Sequence, residues 1–408
     1  MNLPTTFILL FVVATAVAIG AQRLRVPYTV ALVLTGVLLG ATALIPAPHL
    51  TKNLLFSLFL PGLIFEAAFR IDSRDLRTGW ITSLLLAVPG VIASTALIAC
   101  TLPPVLALSH AAAGVGWRDA LVFGALISAT DPVAVIALFR TLRAPPRLTL
   151  LLEAESLLND GTAIVFFTLS LSLIDRSMSG AGALLLQFLV IVGGGLAIGA
   201  ALGAAASLLM RHIDHPMIEI ALTTVAAYGS FALAETLTVS GVIATVVAGL
   251  ICGNVGARIG MSPARRLAAA TFWEYVAFAL NSIVFLLIGF EVRERELLRY
   301  WLPILVAYLL VTGCRGLIIA AGQLIIGATR ERFPWRWSVV LTWGGVRGAL
   351  AMVLALGLPP TFAYRELLIA MTFGVAILSI LVQGLTMSPL LGALGMAARS
   401  SAQAADGA

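Results

Sequence analysis

Charge is what this sequence has least of. Asp, Glu, Lys and Arg make up 11% of its 408 residues while 60% are hydrophobic, against about 25% charged in soluble domains. With a mean hydropathy of +1.05, the chain cannot be a soluble globular domain. The apolar runs are continuous and not alternating, and short Arg-, Pro- or Gly-bearing breaks separate them, which excludes an outer-membrane β-barrel. Cysteine is scarce too: Cys100, Cys252 and Cys314 are odd in number and follow no metal or redox spacing, so they read as small apolar fillers. The net charge of +6 is spread through loops in ones to threes without forming a patch. That pattern marks membrane topology, not nucleic-acid binding. No basic region precedes the apolar stretch 1–21, so it reads as a retained first span and not a cleaved signal.

What remains is a polytopic, all-α membrane protein. A requirement of about 20 residues per span predicts thirteen helices, at 5–21, 27–45, 52–70, 80–108, 118–140, 148–174, 182–210, 217–236, 239–256, 269–290, 298–326, 336–358 and 365–392. An odd count puts the termini on opposite sides. With the N-terminus outside, sixteen arginines fall on the cytoplasmic side and seven basic residues outside, leaving Arg315 and Arg347 within spans. This positive-inside bias predicts a multi-pass protein of the cell (inner) membrane with a cytoplasmic C-terminus. Residues 1–396 read as one transmembrane unit and 397–408 as a disordered tail, with no soluble regulatory domain following.

A weak internal repeat appears when the second half is slid back by about 213 to 221 residues. VPYTVALVLTGVLLG (26–40) lies over VSGVIATVVAGLICG (239–253), matching Gly36 and Gly40 to Gly249 and Gly253. FRID (69–72) lies over FEVR (290–293), Trp117-Arg118 over Trp335-Arg336, and Arg147 over Arg365. Six helices (about 5–174), a connector (182–210) and six more (about 217–392) would place the halves in opposite orientations, an arrangement of secondary transporters.

The sixth span, LTLLLEAESLLNDGTAIVFFTLSLS (148–172), carries Glu155, Ser156, Asn159 and Asp160 as a polar stripe on one side of an apolar rod. Asp160 lies ~20 Å in along the axis, near the middle of a ~30 Å hydrocarbon core. A carboxylate there costs ~3 kcal/mol or more and normally faces a bundle interior or an aqueous cavity. In the fifth span, Pro132 of SATDPVAV (128–135) removes an N–H and clashes with the carbonyl of Ser128, so the helix should break near Thr130-Asp131. Gly344, Gly345 and Gly348 of GGVRGALA (344–351) make the twelfth span equally easy to unwind. Broken helices at mid-membrane leave free carbonyls, which can hold a cation where they line a cavity. Asp131 and Arg347 lie ~20 and ~17 Å deep, so three spans bring charge to one plane.

Such a site can exchange a small cation for a proton if one carboxylate holds either, neutral oxygens replace lost hydration and the setting is dry. Asp160 is the candidate carboxylate. Thr130, Ser156 and the opened backbone would supply further oxygens, making Asp160, Ser156 and Thr130 the candidate Na⁺ ligands, with Asn159 holding the geometry. Glu155 and Arg347 are the natural ion pair, which leaves Asp160 free to titrate. One carboxylate alternating between one proton and one monovalent cation predicts electroneutral exchange, with no cofactor beyond the transported ions.

The segments TDPVAV (130–135), ESLLNDGTAIV (155–165), GGVRGAL (344–350) and VQGLT (382–386) resemble, in order over about 390 residues, those of the NhaP/NHE branch of the monovalent cation/proton antiporter superfamily. The resemblance implies a thirteen-span fold and a core domain moving against a dimerisation domain in a homodimer. It implies Na⁺/H⁺ exchange, with Asn-Asp marking the electroneutral branch. It also assigns the ion-binding carboxylate to Asp160 and supporting roles to Thr130, Asp131, Glu155, Ser156, Asn159 and Arg347.

Blander readings stand beside these. Asp160 could serve as interhelical glue, and a pre-proline Asp131 could simply cap the resumed half-helix. Glu155 with Arg347 could be a static bridge, and Glu66 and Arg315 could pair with one another. Glu153 either lines an entry funnel or snorkels, and Glu235 and Glu274 read as interfacial. His49, His110, His212 and His215 fall in loops or at span edges. Glycines over 193–203 suit close helix approach. An intramembrane aspartyl protease would use Asp131 and Asp160 as a proton-sharing pair, and a channel would need a filter loop or a ring of charge. Neither pattern is visible. The choice among Na⁺, K⁺ and Li⁺ depends on ligand distances that a sequence does not contain.

Overall fold

Hydrocarbon offers no hydrogen-bond partner to a bare amide, so each apolar run must satisfy its backbone within itself. The computed structural model describes residues 3–24, 27–42, 55–112, 114–174, 181–290, 294–327 and 331–396, and among them there is helix but no β-strand. Arg25, His49, Lys52, Arg176, Arg293, Arg330, Arg399 and the expected tail at 397–408 lie outside the described residues. Seven helices among the described residues are long and apolar enough to cross a bilayer. The other described apolar segments form shorter or interrupted helices.

The chain begins with α1 (Leu3–Leu24) and α2 (Tyr28–Thr42). A π-turn (Leu55–Phe59) leads into α3 (Leu60–Arg70). The expected fourth span divides into α4 (Ser73–Ala87), whose helical path breaks at Gly79, and α5 (Pro89–Leu108). The expected fifth span is two half-helices, α6 (Trp117–Ile127) and α7 (Val133–Leu142), and α8 (Pro146–Ile174) carries the polar stripe.

Next come α9 (Ala181–Met210), α10 (Pro216–Thr236) and α11 (Gly241–Ile251), the last prolonged by a π-turn (Cys252–Gly256). After α12 (Pro263–Phe290), a short α13 (Glu294–Arg299) precedes α14 (Trp301–Ile326). The expected twelfth span is again two half-helices, α15 (Trp335–Trp343) and α16 (Ala349–Leu356). A π-turn (Ser379–Gln383) joins α17 (Arg365–Leu378) to α18 (Gly384–Ala393).

Packing sorts these helices into two groups. In one, α9 lies along α11, α2 along α12 and α11 along α3; in the other, α5 packs on α6 and α14, and α4 on α8. Contacts between the groups are sparser. The first group closes through glycine: a Cβ on Gly36 would lie 2.2 Å from the Leu286 carbonyl oxygen, and one on Gly253 would lie 2.1 Å from that of Phe69. The glycines of α9 serve the same end, since a Cβ on Gly199 would meet the Ala244 carbonyl at 2.3 Å. Small residues let backbones approach where lipid supplies no hydrophobic drive.

Candidate functional site

The two broken spans cross where both have lost helix. α6 ends at Ile127 and α7 resumes at Val133, while α15 ends at Trp343 and α16 resumes at Ala349. The breaks touch directly, with the Asp131 amide donating to the Val346 carbonyl at 2.7 Å. Two glycines make this possible. A Cβ on Gly348 would sit 2.0 Å from that of Asp131, and one on Gly345 would sit 2.0 Å from the Arg315 Nε.

Four half-helix ends meet here, each with unsatisfied backbone groups and a partial charge of about half a unit. Asp131 serves both N-termini: its Oδ1 accepts from the Val133 amide at 3.1 Å, and the Ala349 amide donates to the same carboxylate. An arginine serves each C-terminus. Arg347 donates from Nη1 to the carbonyls of Ser128 (2.9 Å) and Ala129 (3.3 Å) at the end of α6. Arg315 donates to the Leu341 carbonyl near the end of α15, from Nε at 3.1 Å and Nη2 at 2.9 Å.

This arrangement corrects the expected pairing. Glu155, 3% exposed, does not pair with Arg347. It forms a bidentate bridge with Arg315, at 2.8 Å from Nη1 and 3.0 Å from Nη2. Arg347 is committed to the carbonyls that the Pro132 break leaves open. Glu66 therefore does not meet Arg315 and bonds one turn away to Arg70 at 2.9 Å. Arg315 is the residue that sequence reasoning undervalued. Its mid-span depth was a visible signal, but its partner was not.

Thr130 is held on every polar atom by α8. Asn159 Nδ2 donates to its hydroxyl at 2.7 Å, its amide donates to Asn159 Oδ1 at 3.5 Å, and its carbonyl accepts from the Ser156 hydroxyl at 2.5 Å. Asn159 thus ties Thr130 to α8 through two hydrogen bonds, and the Thr130 and Ser156 oxygens keep lone pairs free. Asp160 differs from every other acid at the crossing. Its Oδ1 is buried without a hydrogen-bond partner among the described residues.

Asp160 sits at a cavity of about 390 Å³ that Thr130, Asp131 and Ser156 also line. The cavity lies between the helix groups, with Thr29 of α2 and Asn281 of α12 on its other wall. It reaches the exposed side chains of Arg70 and Arg140. Glu153 lines it too, bridged to Arg140 at 3.4 Å, and so does Glu274. A carboxylate oxygen without a partner, two hydroxyls and opened backbone facing a cavity are a donor set for a small, hard cation. A protease dyad does not fit, because the Asp131 carboxylate is occupied by two backbone amides.

Comparison with known proteins agrees with this geometry. The sodium/hydrogen exchanger transmembrane family matches residues 8–393. The chain is 39% identical over 386 residues to the Na⁺/H⁺ antiporter ApNhaP of Aphanothece halophytica, covering 94% of this chain and 73% of that protein. It is 34% identical to the Na⁺/H⁺ antiporter NhaH of Halobacillus dabanensis, covering 95% and 97%. Its fold is similar to that of the sodium proton antiporter MjNhaP1 of Methanocaldococcus jannaschii, with a TM-score of 0.79 and 21% identity over 97% of this chain and 99% of that one. Two crossed half-helix pairs, an acid without a partner beside them and a match along nearly the whole chain lead to one conclusion: this multi-pass membrane protein belongs to the sodium/hydrogen exchanger family.

Proposed function

We propose that the chain exchanges a monovalent cation, Na⁺ before Li⁺ or K⁺, for H⁺ by alternating access. Asp160 takes the cation or the proton in turn. Thr130, Ser156 and the carbonyls of the α6–α7 break replace the hydration that the cation sheds, and Asn159 fixes Thr130. Asp131, Arg347 and the Glu155–Arg315 bridge compensate the charges of the crossing. The observation that carries this reading is the Asp160 Oδ1 without a partner at the 390 Å³ cavity. A buried acid used for structure holds a fixed counter-charge, as Glu155 does in Arg315.

The N-terminus lies outside and the C-terminus in the cytoplasm, so the cavity, which reaches Arg70 and Arg140, belongs to an inward-facing form. The described helices act as a single transport unit made of two inverted repeats. In support, α2 on α12 and α11 on α3 are packings that exchange when the halves are superposed. The unit works as a homodimer, as the resemblance implies. One carboxylate carrying one charge each way makes the exchange electroneutral.

The test is cation-driven proton movement in everted vesicles, with membrane potential clamped and unclamped. Na⁺ should collapse an imposed pH gradient at a rate independent of potential, and Asp160→Asn should reduce that rate to background while the protein stays folded. Rates that follow the potential would reject electroneutrality. Conduction without proton coupling would make the protein a channel.

A further inference from the structure

The loop between α14 and α15 carries an acid that the exchange scheme does not use. Glu331 is 7% exposed, and its carboxylate is turned to the backbone of α4. Oε1 accepts from the Ile81 amide at 3.3 Å, and Oε2 accepts from the amide and the hydroxyl of Thr82, both at 2.8 Å. These donors follow Gly79, whose φ of −137° and ψ of 15° interrupt the helix. Ile81 and Thr82 therefore hold the orphan amides of a helix that restarts there, and Glu331 caps it from a distant part of the chain. The carbonyl of the same residue accepts from Arg147 Nη2 at 2.8 Å. The Arg147 guanidinium, in the first turn of α8, lies 5.9 Å from the centre of the Trp337 ring in the first turn of α15. One loop residue thus joins the restarted α4 to the start of α8, and through Arg147 to the start of α15.

Those helices build the site. α8 carries Ser156, Asn159 and Asp160. α4 leads into α5, whose Thr95 hydroxyl lies 3.2 Å from that of Ser128 at the end of α6. α15 runs into the break that holds Arg347. Apolar helix faces resist axial sliding weakly, because lipid tails and leucine are equally apolar. Hydrogen bonds at one end fix the register of helices whose other ends must meet to a fraction of an ångström.

We propose that Glu331 is a positioning residue for the cation site, setting the axial register of α8 against span four through Arg147, Ile81 and Thr82. This rests on the exchange reading above. Because Glu331 does not line the cavity, its loss loosens the cation's oxygen cage without touching the carboxylate that carries the ion.

The test is Na⁺-dependent exchange by the purified protein in proteoliposomes, with thermal unfolding measured on the same preparations. Glu331→Gln should raise the Na⁺ concentration for half-maximal exchange by roughly tenfold, the low end of outer-shell effects at metal sites. The maximal rate should stay within about twofold. Thr82→Val should give a smaller shift in the same direction and add little in the Glu331→Gln background, since both act on one cluster. An unchanged half-maximal concentration in folded Glu331→Gln would overturn the proposal, as would a loss of thermal stability alone. If Glu331→Gln does not fold, Thr82→Val decides by the same criterion. Wild-type protein without exchange would instead reject the exchange reading, a distinct outcome.

Discussion

Glu155 and Asp160 stand five residues apart on one helix and have nearly the same chemistry, yet the fold treats them in opposite ways. Glu155 faces α14, where Arg315 takes both of its oxygens. Asp160 faces the cavity and has an oxygen that nothing in the described protein satisfies. Neighbours decide the roles: an acid with a fixed counter-charge is structure, and an acid without one must take its counter-ion from solution. The same division separates the two intramembrane arginines from the carboxylate they leave free. Each is spent on a half-helix end, so neither neutralises Asp160.

The largest way to break this comparison is to remove one partner of the paired acid. Arg315→Ala strands Glu155 in a dry interior and should cost about 3–5 kcal/mol, seen as a large fall in unfolding temperature in detergent. Glu155→Gln combined with Arg315→Met should recover much of that loss, since a neutral pair needs no counter-charge. If Arg315→Ala unfolds like wild type, the pair is not the structural member of the comparison.

A sharper test leaves the charges alone. Gly348→Ala forces a methyl group against Asp131 where the broken spans touch, an overpacking expected to cost about 1–3 kcal/mol. Exchange should fall with stability, because Asp131 holds both resumed half-helices. Full activity and stability in that variant would show that the crossing can relax.

With Glu155 bridged to Arg315, protons and Na⁺ compete for Asp160 alone. The Na⁺ concentration for half-maximal exchange should rise as pH falls, approaching about tenfold per pH unit by mass action. Asp72, outside the spans, gives the smallest effect. The amide of Arg74, ahead of the Arg258 guanidinium, holds its carboxyl below the usual carboxylate range. The cap is therefore fully formed above about pH 4 and is lost as pH falls through the lowered value. Asp72→Ala should cost about 0.5–1 kcal/mol at neutral pH and nothing once the wild-type group is protonated, which thermal unfolding against pH would check.

What could be read from sequence was one-dimensional. Helix rise and bilayer thickness place Asp131, Asp160 and Arg347 at one depth. The chemistry of Pro132 and of Gly344, Gly345 and Gly348 places the breaks, and helices stop and resume around both. Pairing is a matter of which spans are neighbours, and no spacing along the chain reveals that Arg315 of α14 reaches Glu155 of α8. Nor does an arginine's depth show that it will serve carbonyls, as Arg347 does, rather than a carboxylate. The π-turns at Leu55–Phe59, Cys252–Gly256 and Ser379–Gln383 were not legible either, since no proline marks them.

The most direct measurement is proton release on cation binding, with purified protein in weakly buffered detergent titrated with NaCl. Wild type and folded Glu155→Gln should each release protons as Na⁺ displaces them, and Asp160→Asn should release none. Release that survives in Asp160→Asn, or that vanishes in folded Glu155→Gln, would place the exchanging proton on another acid and contradict the account.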